Sequence, residues 1–198
     1  GGLWDISKSL SVTAVARADK REFAQRILAE HATTETGPHG KITLVVCNTV
    51  QRACETFDAL RAAGRTNGME LVHSRFRPAE RESWRQRFLS RDACTADVDR
   101  IVVATQVVEA GVDISAGCLI TELAPWPSLV QRFGRCARYD GSGRVVVVDR
   151  GQDEKSAPPY APEELESAWS SLQNLTDVGI ATLEAHEESL SPEGRARL

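Results

Sequence analysis

The chain has 198 residues, of which 41% are hydrophobic and 26% are charged, and its formal net charge at pH 7 is −4. This length and composition predict one well-buried domain with some peripheral elements. No apolar stretch approaches the roughly 18 to 20 residues that a membrane span needs, and the first residues lack the layout of a signal peptide. We therefore expect a cytoplasmic protein with no membrane partner. The negative net charge argues against a protein that coats nucleic acid by bulk electrostatics.

Cysteine and histidine are placed unfavourably for metal binding. The five cysteines never occur in the close pairs that zinc sites and thioredoxin-type motifs require, and their odd number favours reduced thiols. We interpret them as small core or surface residues. The four histidines are widely separated, with no neighbouring histidine or aspartate to complete a metal set. The sequence therefore predicts no metal site built by this chain alone.

Positive charge is concentrated in two clusters near the middle of the chain. In the first, only Glu80 and Glu82 oppose a run of arginines, whereas residues 152–193 are acidic with Lys155 as the one basic residue. The middle of the chain is therefore a candidate for phosphate contacts, and ordinary charged helix faces are the alternative. The first cluster contains Arg75, Arg77, Arg81, Arg85, Arg87 and Arg91, and the second contains Arg132, Arg135 and Arg138.

Short apolar runs alternate with helical patterns, which predicts a three-layer α/β fold with a parallel sheet between helices. Residues 11–16 are a candidate edge strand, and residues 19–31 form a predicted helix behind an aspartate cap. A linker-like segment with Pro158-Pro159 follows the last strand. The predicted strands are 42–47, 70–73, 101–104, 118–123 and 144–149, and the later helices are 50–63, 79–89 and 163–175.

The most specific segment is ATQVVEAGVDIS, residues 104–115, which follows a predicted strand directly. Ligands of an open parallel sheet lie beyond the carboxyl ends of its strands, so a polar loop here is placed to meet one. Thr105 offers a hydroxyl and a backbone amide to a phosphate, and Gly111 allows the backbone to approach a ligand closely. Asp113 is the strong acceptor nearby for a hydroxyl or a hydrated metal. The alternative is a strand-to-helix turn that Asp113 caps.

A second segment, QRFGRCARY, begins at Gln131. Arg132, Arg135 and Arg138 are spaced by three, so on a helix they would share one face and would need anions or carboxylates as partners. An arginine that reaches a transferred γ-phosphoryl group contributes roughly 10³ to 10⁵ in rate, and Gln131 is placed to orient the attacking water. Gly134 costs about 1 kcal/mol relative to alanine inside a helix, which indicates a close approach. The alternative is an ordinary basic surface helix.

These two segments, in this order and with a predicted strand between them, resemble motifs V and VI of superfamily two helicases. The CNT triplet that begins at Cys47 is similar to motif IV, and the HSRF that begins at His73 resembles the corresponding loop of the CRISPR-associated helicase-nuclease. The combination of CNTVQRA, HSRF, ATQVVE and QRxGRxxR points to that family more than to the DEAD-box or DEAH-box RNA helicases. The resemblance implies a RecA-like lobe at residues 41–150, preceded by a lead-in of residues 1–40 and followed by a linker and acidic helical tail at residues 151–198.

The resemblance also implies roles for single residues. Arg135 and Arg138 resemble the two arginine fingers that cross the cleft between motor lobes, and Gln131 resembles the residue near the γ-phosphate and the attacking water. Arg132 is a candidate for a structural ion pair within the lobe, since a buried arginine needs a carboxylate. Gly111 and Asp113 are similar to the residues of motif V that contact the nucleotide. The positions similar to those that contact the phosphate backbone of DNA are Asn48, Thr49, Arg75 and Thr105.

Two parts of an ATP site are missing from the sequence: the Gly-x-x-x-x-Gly-Lys-Ser/Thr loop and the Asp-Glu-x-Asp/His box. The resemblance therefore implies the second lobe of an ATP-dependent DNA helicase or translocase in CRISPR type I antiviral defence, inactive without the first lobe. That first lobe would make most of the contacts with ATP and Mg²⁺. Single-stranded DNA and a guide-RNA surveillance complex are the other expected partners. The alternatives are a translocase of the restriction or repair type and a degenerate RecA-like interaction module.

Overall fold

Six strands rich in branched apolar residues form one parallel sheet in the computed structural model, which describes residues 2–190 except for the side chain of Leu3. The order across the sheet is β1-β6-β5-β2-β4-β3, and every neighbouring pair is parallel. The predicted strands are all present, with the largest shift at β1, which begins at Lys8 rather than at residue 11. The strands are β1 (Lys8–Ala14), β2 (Lys41–Val46), β3 (Met69–Val72), β4 (Asp99–Ala104), β5 (Cys118–Glu122) and β6 (Gly143–Asp149).

Helices cover both faces of the sheet, which confirms the three-layer α/β fold. The helices are α1 (Lys20–Thr33), α2 (Val50–Ala62), α3 (Pro78–Phe88), α4 (Trp126–Phe133), α5 (Pro162–Leu172) and α6 (Ile180–Ser189). Phe23 of α1 and Leu60 of α2 belong to the hydrophobic cluster on one face, and Trp84 of α3 and Leu129 of α4 belong to the cluster on the other. The five cysteines are free, and four of them are buried. Within residues 2–190, no helix combines the length and apolar character needed to cross a membrane.

The C-terminal segment packs against the sheet along the outer edge of β1. Asp177 forms an antiparallel bridge with Ser9, and the backbone N–H of Val178 donates to the carbonyl oxygen of Lys8 at 2.8 Å. Ala157, in the segment that the sequence describes as a linker, is buried in the same hydrophobic cluster as α5. The acidic tail is helical through α6, and its last residues, 191–198, lie outside the described residues. The division of the chain at residues 40 and 150 remains a prediction.

A buried histidine joins the helical layer of α1 to the sheet. The Nδ1 atom of His31 lies 2.7 Å from Oγ1 of Thr43, and its Nε2 atom lies 2.9 Å from Oδ1 of Asp99. Arg65 donates to the same oxygen of Asp99 at 2.6 Å. Burial lowers the pKa of His31, and the positive charges of Arg65 and Lys41 act in the same direction against the Asp99 carboxylate. The fold therefore favours the neutral form of His31 more than solvent does.

We expect the free energy of unfolding to fall as the pH drops from about 7.5 to about 5.5, because the unfolded histidine, with a pKa of about 6.5, takes up a proton that the folded form resists. His31→Gln should flatten this slope but leave some of it, since burial also lowers the pKa of His73. Asp99, whose pKa is lowered to about 2 chiefly by Arg65, loses its contribution only at lower pH. Urea unfolding at a series of pH values measures the slope. Equal slopes for the two proteins would contradict this account of His31.

Candidate functional site

Three loops that carry predicted contacts leave neighbouring strands at the same edge of the sheet. Ala104, the last residue of β4, pairs with Val46 of β2 on one side and with Val72 of β3 on the other. The loops that follow these in-register strand ends therefore share the carboxyl edge, where open α/β sheets bind ligands. This arrangement brings together the loops of four residues predicted to contact DNA: Asn48, Thr49, Arg75 and Thr105.

Asn48 is buried, and its polar groups are all used inside the lobe. Its backbone N–H donates to Oε2 of Glu122 at 2.8 Å, and its Nδ2 donates to the carbonyl oxygen of Leu123 at 2.8 Å. Its Oδ1 accepts from Nη1 of Arg132 at 3.0 Å, and its carbonyl oxygen accepts from Nε2 of Gln106 at 2.6 Å. Asn48 therefore links β2 to the strand ends around it, while its contact with DNA remains a prediction.

The other three predicted DNA contacts differ in how accessible they are. Thr49 is the N-cap of α2, where its Oγ1 accepts from the backbone N–H of Arg52 at 3.1 Å. Thr105 is only 2% exposed, and its backbone amide donates to Val72, so this amide is already used. Arg75 is exposed at the tip of its loop. Of the four positions, Arg75 presents the most accessible side chain, and all four roles remain predictions.

The loop of residues 105–115, named here the motif V loop, begins with a 3₁₀ turn at Gln106–Val108 and continues without regular structure. Gly111 has a φ of +68°, which favours glycine, and a Cβ there would lie 2.6 Å from Nη2 of Arg85. The close approach that the sequence predicts at Gly111 is therefore made by an arginine of α3. Asp113 is exposed and forms an ion pair with Arg138, so it does not cap a helix.

The arginines of the second basic cluster do not share one helix face, and this expectation was wrong. Helix α4 ends at Phe133 with Gly134 as its C-cap, so Arg135 and Arg138 lie beyond the helix. The backbone then turns, because Cys136 forms a parallel bridge with Ala116 and the following residue has a φ of +43°. Gly134 thus ends the helix rather than allowing a close approach within it.

Arg132 is fully buried and has a carboxylate partner, as expected of a structural arginine. Its Nε and Nη2 atoms both lie 2.9 Å from Oε1 of Glu109 in the motif V loop. Its Nη1 donates to Oγ1 of Thr121 at 2.9 Å and to the Asn48 side chain, and its Nη2 donates to the hydroxyl of Tyr160 at 3.3 Å. One guanidinium thereby connects α4, the motif V loop, β5, the end of β2 and the C-terminal segment.

Arg135 and Arg138 contact the same loop further along. Arg135 is buried and donates to the carbonyl oxygens of Val112 and Glu109, each at 2.8 Å. Burial lowers the pKa of Arg135, and the positive charge of Arg138 adds to this effect. Arg138 donates from Nε to Oδ1 of Asp113 at 2.7 Å, and its side chain is 39% exposed. Arg135 thus supports the loop, whereas Arg138 lies at its surface.

Arg138 and Asp113 line a cavity in which positive charge predominates. Lys8 and Arg91 line the same cavity, as does Tyr139, whose ring lies 4.8 Å from the Arg91 guanidinium. The Tyr139 hydroxyl donates to the carbonyl oxygen of Asp113, so this tyrosine supports the motif V loop. The charges suit an anionic group such as a nucleotide phosphate. Among residues 2–190, no three His, Cys, Asp or Glu side chains are grouped to hold a metal ion.

Gln131 lies in a different groove from Arg138. It is exposed on α4 and faces the acidic helix α6, where Glu184 and Glu187 line the same groove. Trp126 joins the two helices, because its Nε1 donates to Oε1 of Glu187 at 3.3 Å. The structure therefore does not bring Gln131 into the cavity of Arg138 and Asp113, and its role near an attacking water remains a prediction.

The sequence did not lead us to the carboxylates that pair with the buried arginines. Glu122 is 2% exposed at the end of β5, where its Oε2 lies 3.2 Å from Nη1 of Arg52. A glutamate in the apolar run CLITE is itself a signal, since a buried carboxylate needs a cation or hydrogen-bond donors. Glu109 and Tyr160 carry no comparable signal, because only the tertiary fold brings them to Arg132.

We expect Arg132→Ala to lower the free energy of unfolding by about 3–5 kcal/mol. The substitution leaves the mostly buried carboxylate of Glu109 without its cation. Arg26→Ala is the control: Arg26 forms a partly exposed ion pair with Glu30 at 3.2 Å, and Glu30 keeps Arg144 as a second cation, so the loss should cost no more than about 1 kcal/mol. Urea denaturation of both variants measures the difference. A loss below about 1 kcal/mol for Arg132→Ala would show that the network is not a stability determinant.

Sequence comparison with known proteins identifies the family of the chain. A family model described as "CRISPR-associated nuclease/helicase Cas3, C-terminal" matches residues 39–141. A putative CRISPR-associated nuclease/helicase Cas3 of Myxococcus xanthus is 36% identical over 146 residues, which cover 69% of this chain and 18% of the relative. The CRISPR-associated helicase Cas3 of Thermoproteus tenax is 30% identical over 151 residues, covering 76% of this chain and 25% of the relative. The chain spans a quarter or less of these relatives.

Solved structures show the same fold at lower identity. T. fusca Cas3 with ATP matches 96% of this chain and 23% of its own length, with a TM-score of 0.67 and 22% identity. A chain of a CRISPR RNA-guided surveillance complex in the pre-nicking state matches 95% of this chain and 25% of its own length, with a TM-score of 0.69 and 22% identity. The C-terminal domain of the DEAD-box protein Dbp5 matches 87% of this chain and 86% of its own length, with a TM-score of 0.56 and 16% identity. These matches establish a RecA-like helicase-lobe fold, and because the family model covers more than half of the residues, the chain belongs to the Cas3-like C-terminal family of CRISPR-associated nuclease/helicases.

Proposed function

We propose that this chain is the second motor lobe of an ATP-dependent DNA helicase or translocase in CRISPR type I antiviral defence. The observation that carries the proposal is the Arg138–Asp113 pair, which lies half exposed in a positive cavity beside the motif V loop. Family membership also supports the proposal, because the related proteins are described as nuclease/helicases. In the proposed protein the lobe is inactive until a first RecA-like lobe supplies the phosphate loop.

The three arginines have different tasks in this proposal. Arg132 and Arg135 are buried and hold the motif V loop, so they position the site. Arg138 is ion-paired with Asp113 at the surface, and a γ-phosphate entering from the first lobe would replace that carboxylate as its partner. ATP with Mg²⁺, held mainly by the first lobe, supplies the phosphoryl group. Gly111 and Asp113 face the nucleotide, and Gln131 reaches the attacking water after the lobes close.

The carboxyl edge of the sheet is the proposed track for single-stranded DNA. Thr49 stands at the N-terminus of α2, where the helix favours a phosphate, and Arg75 is exposed on the neighbouring loop. Asn48 and Thr105 are buried behind them and hold the strand ends in place. Such contacts grip the phosphate backbone without reading its sequence. The lobe therefore moves along DNA by gripping and releasing phosphates as the cleft opens and closes.

The expected partners are the first motor lobe, single-stranded DNA and a guide-RNA surveillance complex in the cytoplasm. A structural neighbour from a CRISPR RNA-guided surveillance complex supports the last of these by analogy. The similar crystal structures of T. fusca Cas3 with ATP and with ADP support ATP as the nucleotide, also by analogy.

We expect Arg138→Ala, in a protein that contains both lobes, to lower the kcat of DNA-stimulated ATP hydrolysis at least tenfold, since an arginine at the γ-phosphate is worth roughly 10³ to 10⁵ in rate. The KM for ATP should change much less, because the first lobe holds most of the nucleotide. Arg26→Ala is a matched control, since its side chain is also 39% exposed and ion-paired, but with Glu30 of α1. Steady-state ATPase assays with saturating single-stranded DNA measure both parameters.

Full turnover by the Arg138→Ala protein would refute the finger assignment. An equal loss in the Arg26→Ala protein would attribute the effect to general destabilisation. The 198-residue chain alone should show no ATP hydrolysis, with or without DNA.

A further inference from the structure

A buried lysine that no motif accounts for lines the same cavity as Arg138 and Asp113. Lys8 is the first residue of β1 and is only 5% exposed. Its Nζ atom donates to the carbonyl oxygen of Phe133 at 3.0 Å. Burial lowers the pKa of Lys8, because the charged form loses water, and the positive charge of Arg138 acts in the same direction. The position is therefore a costly one for a side chain that is usually exposed.

The carbonyl group that Lys8 contacts is the point at which α4 turns toward Arg138. Phe133 is the last residue of α4, and its carbonyl oxygen also accepts from the backbone N–H of Cys136 at 3.1 Å. The next carbonyl oxygen, that of Gly134, accepts from Nη1 of Arg138 at 3.4 Å. The last carbonyl groups of a helix lack partners within the helix, and a cation is favourable beside them. Lys8 therefore holds the peptide group from which the turn to Arg138 departs.

Lys8 is held in turn by the C-terminal segment. The Oδ2 atom of Asp177 accepts from the backbone N–H of Lys8 and from the hydroxyl of Ser7, each at 2.7 Å. The Oδ1 atom of the same carboxylate accepts from the backbone N–H of Gly179 at 2.7 Å and from the hydroxyl of Thr182 at 3.2 Å. One carboxylate therefore joins the strand that carries Lys8 to the first turn of α6.

The two cations of the cavity differ in what they can reach. The ammonium group of Lys8 is nearly buried and donates to the protein backbone, whereas the side chain of Arg138 is 39% exposed. Arg138 is therefore the one suited to meet a phosphate, and Lys8 acts on the backbone behind it. A misplacement of about 1 Å at a catalytic group can cost about 10²-fold in rate, so the position of this turn matters to Arg138.

We propose that Lys8 is a positioning residue for the Arg138 finger, and that Asp177 connects the C-terminal segment to that finger through Lys8. This inference rests on the proposed motor function, in which Arg138 stabilises the γ-phosphoryl group of ATP. Neither Lys8 nor Asp177 belongs to the motifs that the family resemblance implies. A displacement of the C-terminal segment would release the backbone of Lys8 and, with it, the turn that carries Arg138.

Steady-state ATPase assays of a protein with both lobes, at saturating single-stranded DNA, test Lys8. Lys8→Met removes the cation and its donor but keeps a long, unbranched side chain. We expect kcat to fall about fivefold to tenfold and the KM for ATP to stay within about twofold, because Lys8 acts on the finger rather than on nucleotide binding. An unchanged kcat would overturn the proposal. A higher KM with an unchanged kcat would also overturn it, since Lys8 would then be a ligand of the nucleotide.

Lys41→Met is the matched control from the neighbourhood of the other helical layer. Lys41 is also the first residue of a strand, β2, and its Nζ atom donates to the carbonyl oxygen of Ala32 in the last turn of α1 at 3.4 Å. This substitution should leave kcat within about twofold of the unsubstituted protein. A fall in kcat as large as that of Lys8→Met would overturn the specific role of Lys8.

A double-mutant cycle separates positioning from general destabilisation. Because Lys8 acts through Arg138, Lys8→Met should lower the residual kcat by less than about twofold when Arg138→Ala is already present. A general loss of folded protein would lower turnover by the same factor in both backgrounds, and that result would overturn the proposal.

Asp177→Asn tests the link to the C-terminal segment and does not require Lys8→Met to fold. The amide keeps the shape of the carboxylate but presents one acceptor oxygen instead of two, so it cannot serve all four donors. We expect kcat to fall about threefold when Arg138 is present and to change by less than about 1.5-fold in the Arg138→Ala protein. Equal falls in the two backgrounds, or no fall in either, would overturn the link.

Failure of this inference is distinguishable from failure of the motor function. Full turnover by the Arg138→Ala protein would refute the finger, and with it the role that Lys8 is given. A loss of turnover in Arg138→Ala together with full turnover in Lys8→Met would refute the positioning role alone.

Discussion

The buried guanidinium of Arg132 is the interaction on which the functional edge of this lobe depends. A fully buried charge is tolerated only with complete pairing, and Arg132 obtains it from Glu109, Thr121, Asn48 and Tyr160. These partners come from four separate segments of the chain, so none of the segments can move independently without leaving a charge or a donor unsatisfied. The network costs desolvation energy, and in return it fixes the relative positions of strand ends and loops.

The motif V loop is the element that this network controls. Its inner side is held by Arg132 and Arg135, through a carboxylate and through backbone carbonyls. Its outer side meets Arg138 at one end and Arg85 across Gly111. One short loop therefore lies between Arg138 at Asp113 and Arg85 of α3 at Gly111.

Much of the fold follows from local sequence patterns, whereas the site follows only in part. Apolar runs and capping residues such as Asp19 predict the strands and α1, because burial and capping act over a few residues. The regular spacing of the arginines in the second basic cluster predicted one shared helix face. That prediction was wrong because Gly134 ends α4 before Arg135 and Arg138. The partners of the buried arginines were missed because Glu109 and Tyr160 meet Arg132 only through tertiary packing, which periodicity does not encode. Thr105, Gly111, Asp113 and Gln131 were proposed from local pattern as well as from resemblance, whereas Asn48, Thr49 and Arg75 came from resemblance alone.

The pairing of the C-terminal segment with β1 has a practical consequence. Asp177 and Val178 satisfy the outer edge of β1, and Leu165, Leu172 and Leu183 bury apolar area in the adjoining cluster. A piece of the protein that stops after β6 would expose both a row of unpaired backbone groups and a hydrophobic face. Exposed edges of this kind recruit strands from other molecules. The C-terminal segment through α6 therefore covers a strand edge and a hydrophobic face that a shorter piece would leave open to other molecules.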